Sequence, residues 1–345
     1  MSAQAATPSA ASAASAAPPL ALLCGASGFI GRHIACALRA AGWQVRPASR
    51  RSAPAVDYTR AIHASDWQPL LQGASAVINA VGVLRDSRTR PMQALHADAP
   101  CALFEACAAS GVRRVIHISA LGIDGGGPAA RTPYARTKRQ AEERLLALTA
   151  QGRLDGIALR PSLVFGAGGA STRLFLALAR LPVLALPRCA FTARVQPLAV
   201  WDLAEAVARL AASSAASHAA SHAANARPLT GLLELAGPQP LTLAAYIQQL
   251  RASQGRPPAC ALALPACITR ASARLGDALP FSPWCTQSLH LLSADNVASP
   301  AALPELLGRP ATAPAQFMQA LAVAAQADAP GVRKPQNGRD EGGAP

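Results

Sequence analysis

The stretch Cys24-Gly25-Ala26-Ser27-Gly28-Phe29-Ile30-Gly31-Arg32 constrains this chain more than any other. A short apolar run, 20–24, leads into it, and residues 30–41 leave it with helical periodicity. Three glycines spaced GxxGxxG between a strand and a helix make a dinucleotide-binding turn. Gly25 permits the tight bend, Gly28 lets backbone approach a pyrophosphate, and Gly31 lets the helix pack on the sheet. The helix N-terminus then offers free N–H groups and partial positive charge to the phosphates. The expected cradle comprises Gly25, Ser27, Gly28, Phe29, Ile30 and Gly31.

The alternation continues downstream. Segments 43–48, 76–80, 114–119 and 156–159 read as strands, with helices near 67–71, over 92–110 and over 132–149. Strand and helix in turn predict an α/β fold, a Rossmann-type doubly wound parallel sheet over residues 20–255. Further on come a glycine loop (Gly166, Gly168, Gly169), a helix near 171–180, and a helix over 203–212 capped by Asp202. A strand over 232–235 and a helix over 241–251 follow. Residues 213–226 repeat Ala-Ala-Ser-His and read as a low-complexity insertion, with His218 and His222 lacking companions for a zinc site. Residues 256–325 read as helical and Pro-interrupted, a smaller substrate lobe to which 162–190 contributes. The small-residue end 1–19 and the polar end 326–345 read as disordered tails.

The formal charge of +14 raises the question of nucleic acid. The excess is scattered arginine without a basic run, and aromatics are too few for base stacking, so nucleic acid is not the expected partner. Weak attraction to anionic membranes is at least as well supported. Eight cysteines show no CxxC pair and no Cys/His cluster, so no metal is expected. With neither a secretory leader nor a run of about 20 apolar residues, a cytoplasmic location is expected, peripheral to a membrane at most.

Cofactor choice is read after the second strand. Ser49 stands where an acidic residue would bind the ribose of NAD, and Arg50 and Arg51 follow. Two guanidiniums without a carboxylate suit a 2′-phosphate, so NADP(H) is preferred, with NAD(H) as the alternative. Tyr134 and Lys138 lie four apart on one predicted helix face. Carbonyl reduction needs a proton donor at oxygen, and a nearby ammonium can tune a tyrosine to that task while gripping the ribose hydroxyls. Ser119, ending the fourth strand, is the candidate to orient the substrate oxygen.

The glycine loop, Asn79-Ala80-Val81-Gly82, the Tyr134/Lys138 pair and Arg160-Pro161-Ser162-Leu163-Val164-Phe165-Gly166 resemble the short-chain dehydrogenase/reductase superfamily in order and spacing. Gln196-Pro197-Leu198-Ala199-Val200-Trp201-Asp202 and His117-Ile118-Ser119-Ala120-Leu121-Gly122 look like its extended or atypical branch, near relatives of the large accessory subunit of complex I. The resemblance implies NADPH on the glycine loop and further contacts at Ala80, Val81, Gly82, Pro161 and Val164. It implies an NAD(P)-dependent oxidoreductase or epimerase acting on a small carbonyl or hydroxy compound. The other implied role is a catalytically weak accessory protein linked to a respiratory complex or to ubiquinone biosynthesis. Two departures stand out. His96 occupies the place of the helix asparagine, and a shift of one residue would put Ala120 rather than Ser119 at the catalytic serine position.

Overall fold

Six short segments pair side by side, and the four inner ones are buried along nearly their whole length, which requires a sheet covered by helices on both faces. The computed structural model describes residues 17–125, 127–219, 229–279 and 282–327. The sheet strands are β1 (Leu20–Cys24), β2 (Gln44–Ala48), β3 (Ala76–Asn79), β4 (Arg114–Ile118), β5 (Asp155–Pro161) and β6 (Gly231–Leu235). They run parallel in the order β6-β5-β4-β3-β1-β2. Leu22 lies beside Arg46 on one flank and Val77 on the other. β2 holds an edge, where Pro47 and its missing N–H are tolerated.

Helices α1 (Phe29–Ala40), α2 (Ala99–Ser110), α3 (Pro133–Ala150) and α4 (Val200–Ala219) cover the two faces. α1 and α4 bury Ile34, Leu38, Leu203 and Val207 against Leu23, Ile78 and Ile116. α2 and α3 bury Leu103, Phe104, Leu145 and Leu148 against Leu22, Val77 and Val115. The chain runs from β1 out to β2 at the edge and then crosses back over β1 to β3, so the strand order reverses there and a crevice opens where β1 and β3 end.

Departures from the sequence reading have physical causes. α4 does not stop near 212 but runs to Ala219, because alanine-rich sequence continues a helix readily. Residues 220–226 of the expected insertion, and 1–16 and 328–345 of the expected tails, lie outside the described residues. The helix expected over 92–110 opens with a π-turn, Ala94–Asp98, before α2. The C-terminal lobe is not purely helical: Cys260–Leu264 forms a strand parallel to Val183–Pro187. α5 (Leu243–Ala252) packs Tyr246, Ile247 and Leu250 with Phe165, Phe175, Leu184, Leu186 and Phe317. α6 (Ala266–Ala278) and α7 (Thr286–Leu292) follow, and Leu303 and Leu307 return to the face covered by α1 and α4. Among the described residues, no helix is long and apolar enough to cross a membrane.

Candidate active site

The glycine turn closes β1 tightly. Gly25 has φ +80°, and a Cβ there would stand 3.0 Å from the Ala80 carbonyl group at the end of β3. A Cβ on Gly31 would fall 2.0 Å from the Gly25 carbonyl oxygen, so only glycine lets α1 start this close to the strand. Gly28 is the N-cap, with no side chain satisfying the first-turn amides. Those amides, at the positive end of a 12-residue helix, fit a pyrophosphate. Phe29 and Ile30 are half-buried and Ser27 is exposed. At the end of β2, Ser49 accepts the Arg51 N–H at 3.1 Å, while the side chains of Arg50 and Arg51 are exposed. This leaves two guanidiniums beyond the β2 edge and no carboxylate at Ser49.

α3 begins on Thr132, whose hydroxyl accepts the Ala135 N–H at 3.2 Å, with Pro133 in the first turn. That start delivers Tyr134 and, one turn later, Lys138 to the crevice. Lys138 is buried and donates to the carbonyls of Ile118 (2.8 Å) and Val81 (3.3 Å), tying α3 to the ends of β4 and β3. A Cβ added to Gly82 would stand 3.4 Å from its Nζ. Burial pulls the Lys138 ammonium down to about 8 against the upward pull of Glu142. Tyr134 is half-buried, and desolvation pushes its phenol up to about 12, so it stays proton-loaded at neutral pH.

His96 sits within the π-turn, edge-on to Tyr134 with ring centroids 5.4 Å apart. Thr137 Oγ1 sends its own proton to the Pro133 or Tyr134 carbonyl (2.9 and 3.2 Å), so it accepts from His96 Nδ1 at 3.1 Å. Nε2 then accepts the Val83 N–H at 2.9 Å. Both ring nitrogens are spent on backbone and helix, and burial, reinforced by Lys138, pushes the ring down to about 2. His96 is therefore a neutral positioning residue rather than a ligand for substrate.

The crevice continues into a cavity of about 550 Å³ lined by Gly82, Ala120, Leu121, Tyr134, Pro161 and Val164, among others. Ala120 faces it, and Ser119 does not line it. The Ser119 hydroxyl is buried with no hydrogen-bond partner among the described residues. The rest of the wall mixes apolar side chains, Leu84, Leu163, Leu174, Phe175, Trp284 and Leu292, with polar ones such as Arg90, Ser171, Ser288 and Asn296.

Two supports were not legible as site features. Arg160, from the Arg-Pro-Ser motif, donates to both carboxylate oxygens of Glu142 on α3 and to Asp124 at 2.5 Å, locking the Tyr/Lys helix to β5. Arg85, after β3, donates to the carbonyls of Leu279 (2.6 Å), Gly276 (2.7 Å) and Trp284 (3.2 Å), holding the outer wall. A buried arginine six residues before a glycine loop and a lone loop arginine carry no spacing signal. Among the described residues no group of side chains could hold a metal ion.

A model of the NAD dependent epimerase/dehydratase family matches residues 21–226. A protein named ceramide reductase, from Caulobacter vibrioides (strain NA1000 / CB15N), is 30% identical over 227 residues. That alignment covers 61% of this chain and 62% of the relative, so this chain spans less than two thirds of that protein's length. The NADPH-dependent quinone oxidoreductase QOR2 of Escherichia coli, solved with NADPH, superposes with a TM-score of 0.63 at 18% identity, covering 88% of this chain and 99% of that one. MoeE5, solved with UDP-glucuronic acid and NAD, gives 0.61 at 19% identity over 90% and 99%. At these identities the two structures establish the likeness of fold.

Proposed function

Because this chain belongs to the NAD-dependent epimerase/dehydratase family, within the extended branch of the short-chain dehydrogenases/reductases, we propose that it is an NADP(H)-dependent reductase of a carbonyl carried by an apolar, lipid-like substrate. The observation that carries this reading is a proton-loaded Tyr134 on a cavity that also presents Leu84, Leu163, Leu174, Phe175, Trp284 and Leu292. The polar lining groups, among them Arg90, Ser171, Ser288 and Asn296, would serve the headgroup of such a lipid, while Leu84, Leu163, Leu174 and Phe175 would take its chain. A relative named for reduction of a ceramide supports the same substrate class. The exposed Arg50 and Arg51 beside Ser49 support NADP(H) over NAD(H).

The bound dinucleotide would supply hydride. Tyr134 gives its phenolic proton to the carbonyl oxygen as charge develops there, and Lys138, held by Ile118 and Val81, places positive charge at the floor of the crevice. Ala120 brings no hydroxyl to the substrate oxygen, so Tyr134 carries the acid role alone.

The test is NADPH oxidation with long-chain keto-lipids against UDP-sugars, in wild type and Tyr134→Phe. Turnover of keto-lipids only, lost in Tyr134→Phe while NADPH still binds, is expected. Turnover that survives Tyr134→Phe would overturn the acid assignment. Arg50→Gln with Arg51→Gln is expected to weaken NADPH at least about tenfold and leave NADH nearly unchanged, from the strength of charge-assisted bonds to phosphate. Equal weakening of both nucleotides would return the choice to NAD(H).

A second reading has one observation in its favour. Ala120 and the fully committed His96 leave a reduced catalytic set, as expected of an NADPH-binding accessory protein without turnover. Absence of any NADPH oxidation across both substrate classes, with NADPH bound tightly, would select it.

A further inference from the structure

α6 already has its packing: Thr269, Ala273 and Gly276 face inward. Its opposite side carries Ile268, Ala271 and Leu275 at i, i+3 and i+7, and Leu279 lies just past its end. Ile268, Leu275 and Leu279 are 50%, 67% and 54% exposed, an unusual concentration of large apolar side chains in one helix of a small lobe. The neighbouring strand pair adds to it. Leu184 and Leu186 point into the core, so Val183 and Ala185 point out, and their register partners Cys260 and Leu262 are exposed beside them.

Charge decides what such a face would meet. Segments 180–188 and 256–279 carry Arg180, Arg188, Arg256, Arg270 and Arg274, all exposed, against a single acid, Asp277. None of these arginines forms a salt bridge among the described residues. A second copy of this chain would set five guanidiniums against five, which argues against self-association. An apolar stripe flanked by arginine matches an anionic bilayer, where side chains enter the acyl boundary and guanidiniums stay among headgroups.

We propose that this face, α6 with the strand Cys260–Leu264, docks on the surface of an anionic lipid bilayer. Arg85 ties α6 and Trp284 to the loop after β3, so the docked element is continuous with the wall of the apolar cavity. Docking does not depend on turnover and is tested without it.

The experiment is flotation of the full chain with phosphatidylcholine vesicles, with or without phosphatidylglycerol. Binding is expected only with phosphatidylglycerol, weakening as salt rises. Arg270→Gln and Arg274→Gln should each lower the partition roughly fivefold, and Ile268→Asp with Leu275→Asp should abolish it. NADPH titration of every variant verifies folding. Flotation indifferent to lipid charge, or unchanged in folded variants, would overturn the proposal. So would a dimer in solution that Ile268→Asp with Leu275→Asp separates, since a second copy would then cover the face.

Discussion

At the scale of single residues, Lys138 illustrates a conflict between stability and function. Burial makes its ammonium expensive, while the carbonyls of Ile118 and Val81 and the nearby Glu142 favour keeping it charged. Its folded value of about 8 lies below the ordinary one. Between the two, the folded chain has released this proton and the unfolded chain still holds it, so folding stability from this group rises with pH across that window and is reduced below it. Cofactor affinity runs the other way, because the ammonium that would hold ribose hydroxyls discharges as pH rises through about 8. The expected outcome is NADPH affinity that falls above about pH 8 in wild type and is weak and flat in Lys138→Met, read by fluorescence titration across pH. Equal pH dependence in both proteins would remove Lys138 from the cofactor site. Tyr134, Lys138 and the three glycines could be picked out as candidates from spacing because the roles proposed for them require fixed separations along one turn or one helix face. The side chains that hold them could not. His96 works through Thr137 and Val83, which are distant in sequence, and the orientation of Ser119 against Ala120 depends on a one-residue register that strand composition leaves open.

At the scale of elements, α3 must be held at a fixed depth for Tyr134 to meet substrate, and the Arg160–Glu142 pair does this from inside the protein. Both side chains are almost fully buried, so the pair's worth lies in what happens when one member is missing. Glu142→Gln leaves a guanidinium with reduced compensation and is expected to cost about 3–5 kcal/mol in urea unfolding. Glu142→Leu with Arg160→Met removes both charges and should cost distinctly less than either single change. Additive losses would show that the two do not act as a pair. The sheet strands were legible because buried parallel strands are short apolar runs punctuated by glycine or proline, and all six lie within a residue or two of where the pattern puts them. Cys260–Leu264 was not, since Cys-Ala-Leu-Ala-Leu has no period of its own and becomes a strand only beside Val183–Pro187, more than seventy residues earlier. The π-turn over Ala94–Asp98 escaped for a related reason: the extra residue is accommodated by tertiary contacts, and a helical pattern hides it.

At the scale of the whole molecule, the floor of the crevice concentrates buried groups that are neutral only because the fold excludes water from them. His117 on β4 is fully buried, with Nδ1 accepting the Asn79 amide at 3.1 Å and its ring edge-on to Phe104. Burial, together with Lys138 and His96, holds it well below its usual value, and His96 is held down to about 2. In the unfolded chain both rings would take up a proton near the ordinary histidine value. Below that value the unfolded state binds more protons than the folded one, so stability is fully present above about pH 6.5 and is lost as pH falls. At about pH 5 each ring should withdraw about 2 kcal/mol, enough together to consume much of a typical domain's margin. Thermal unfolding should therefore drop steeply between about pH 6.5 and 5. His96→Asn should reduce that slope by about half while retaining a group able to accept the Val83 N–H. A melting temperature flat across this range, or a slope unchanged in His96→Asn, would mean that the two rings open to solvent before the chain unfolds. The crevice would then be a mobile region of the molecule, and the positions of Tyr134 and Lys138 would have to be maintained by the Arg160–Glu142 lock alone.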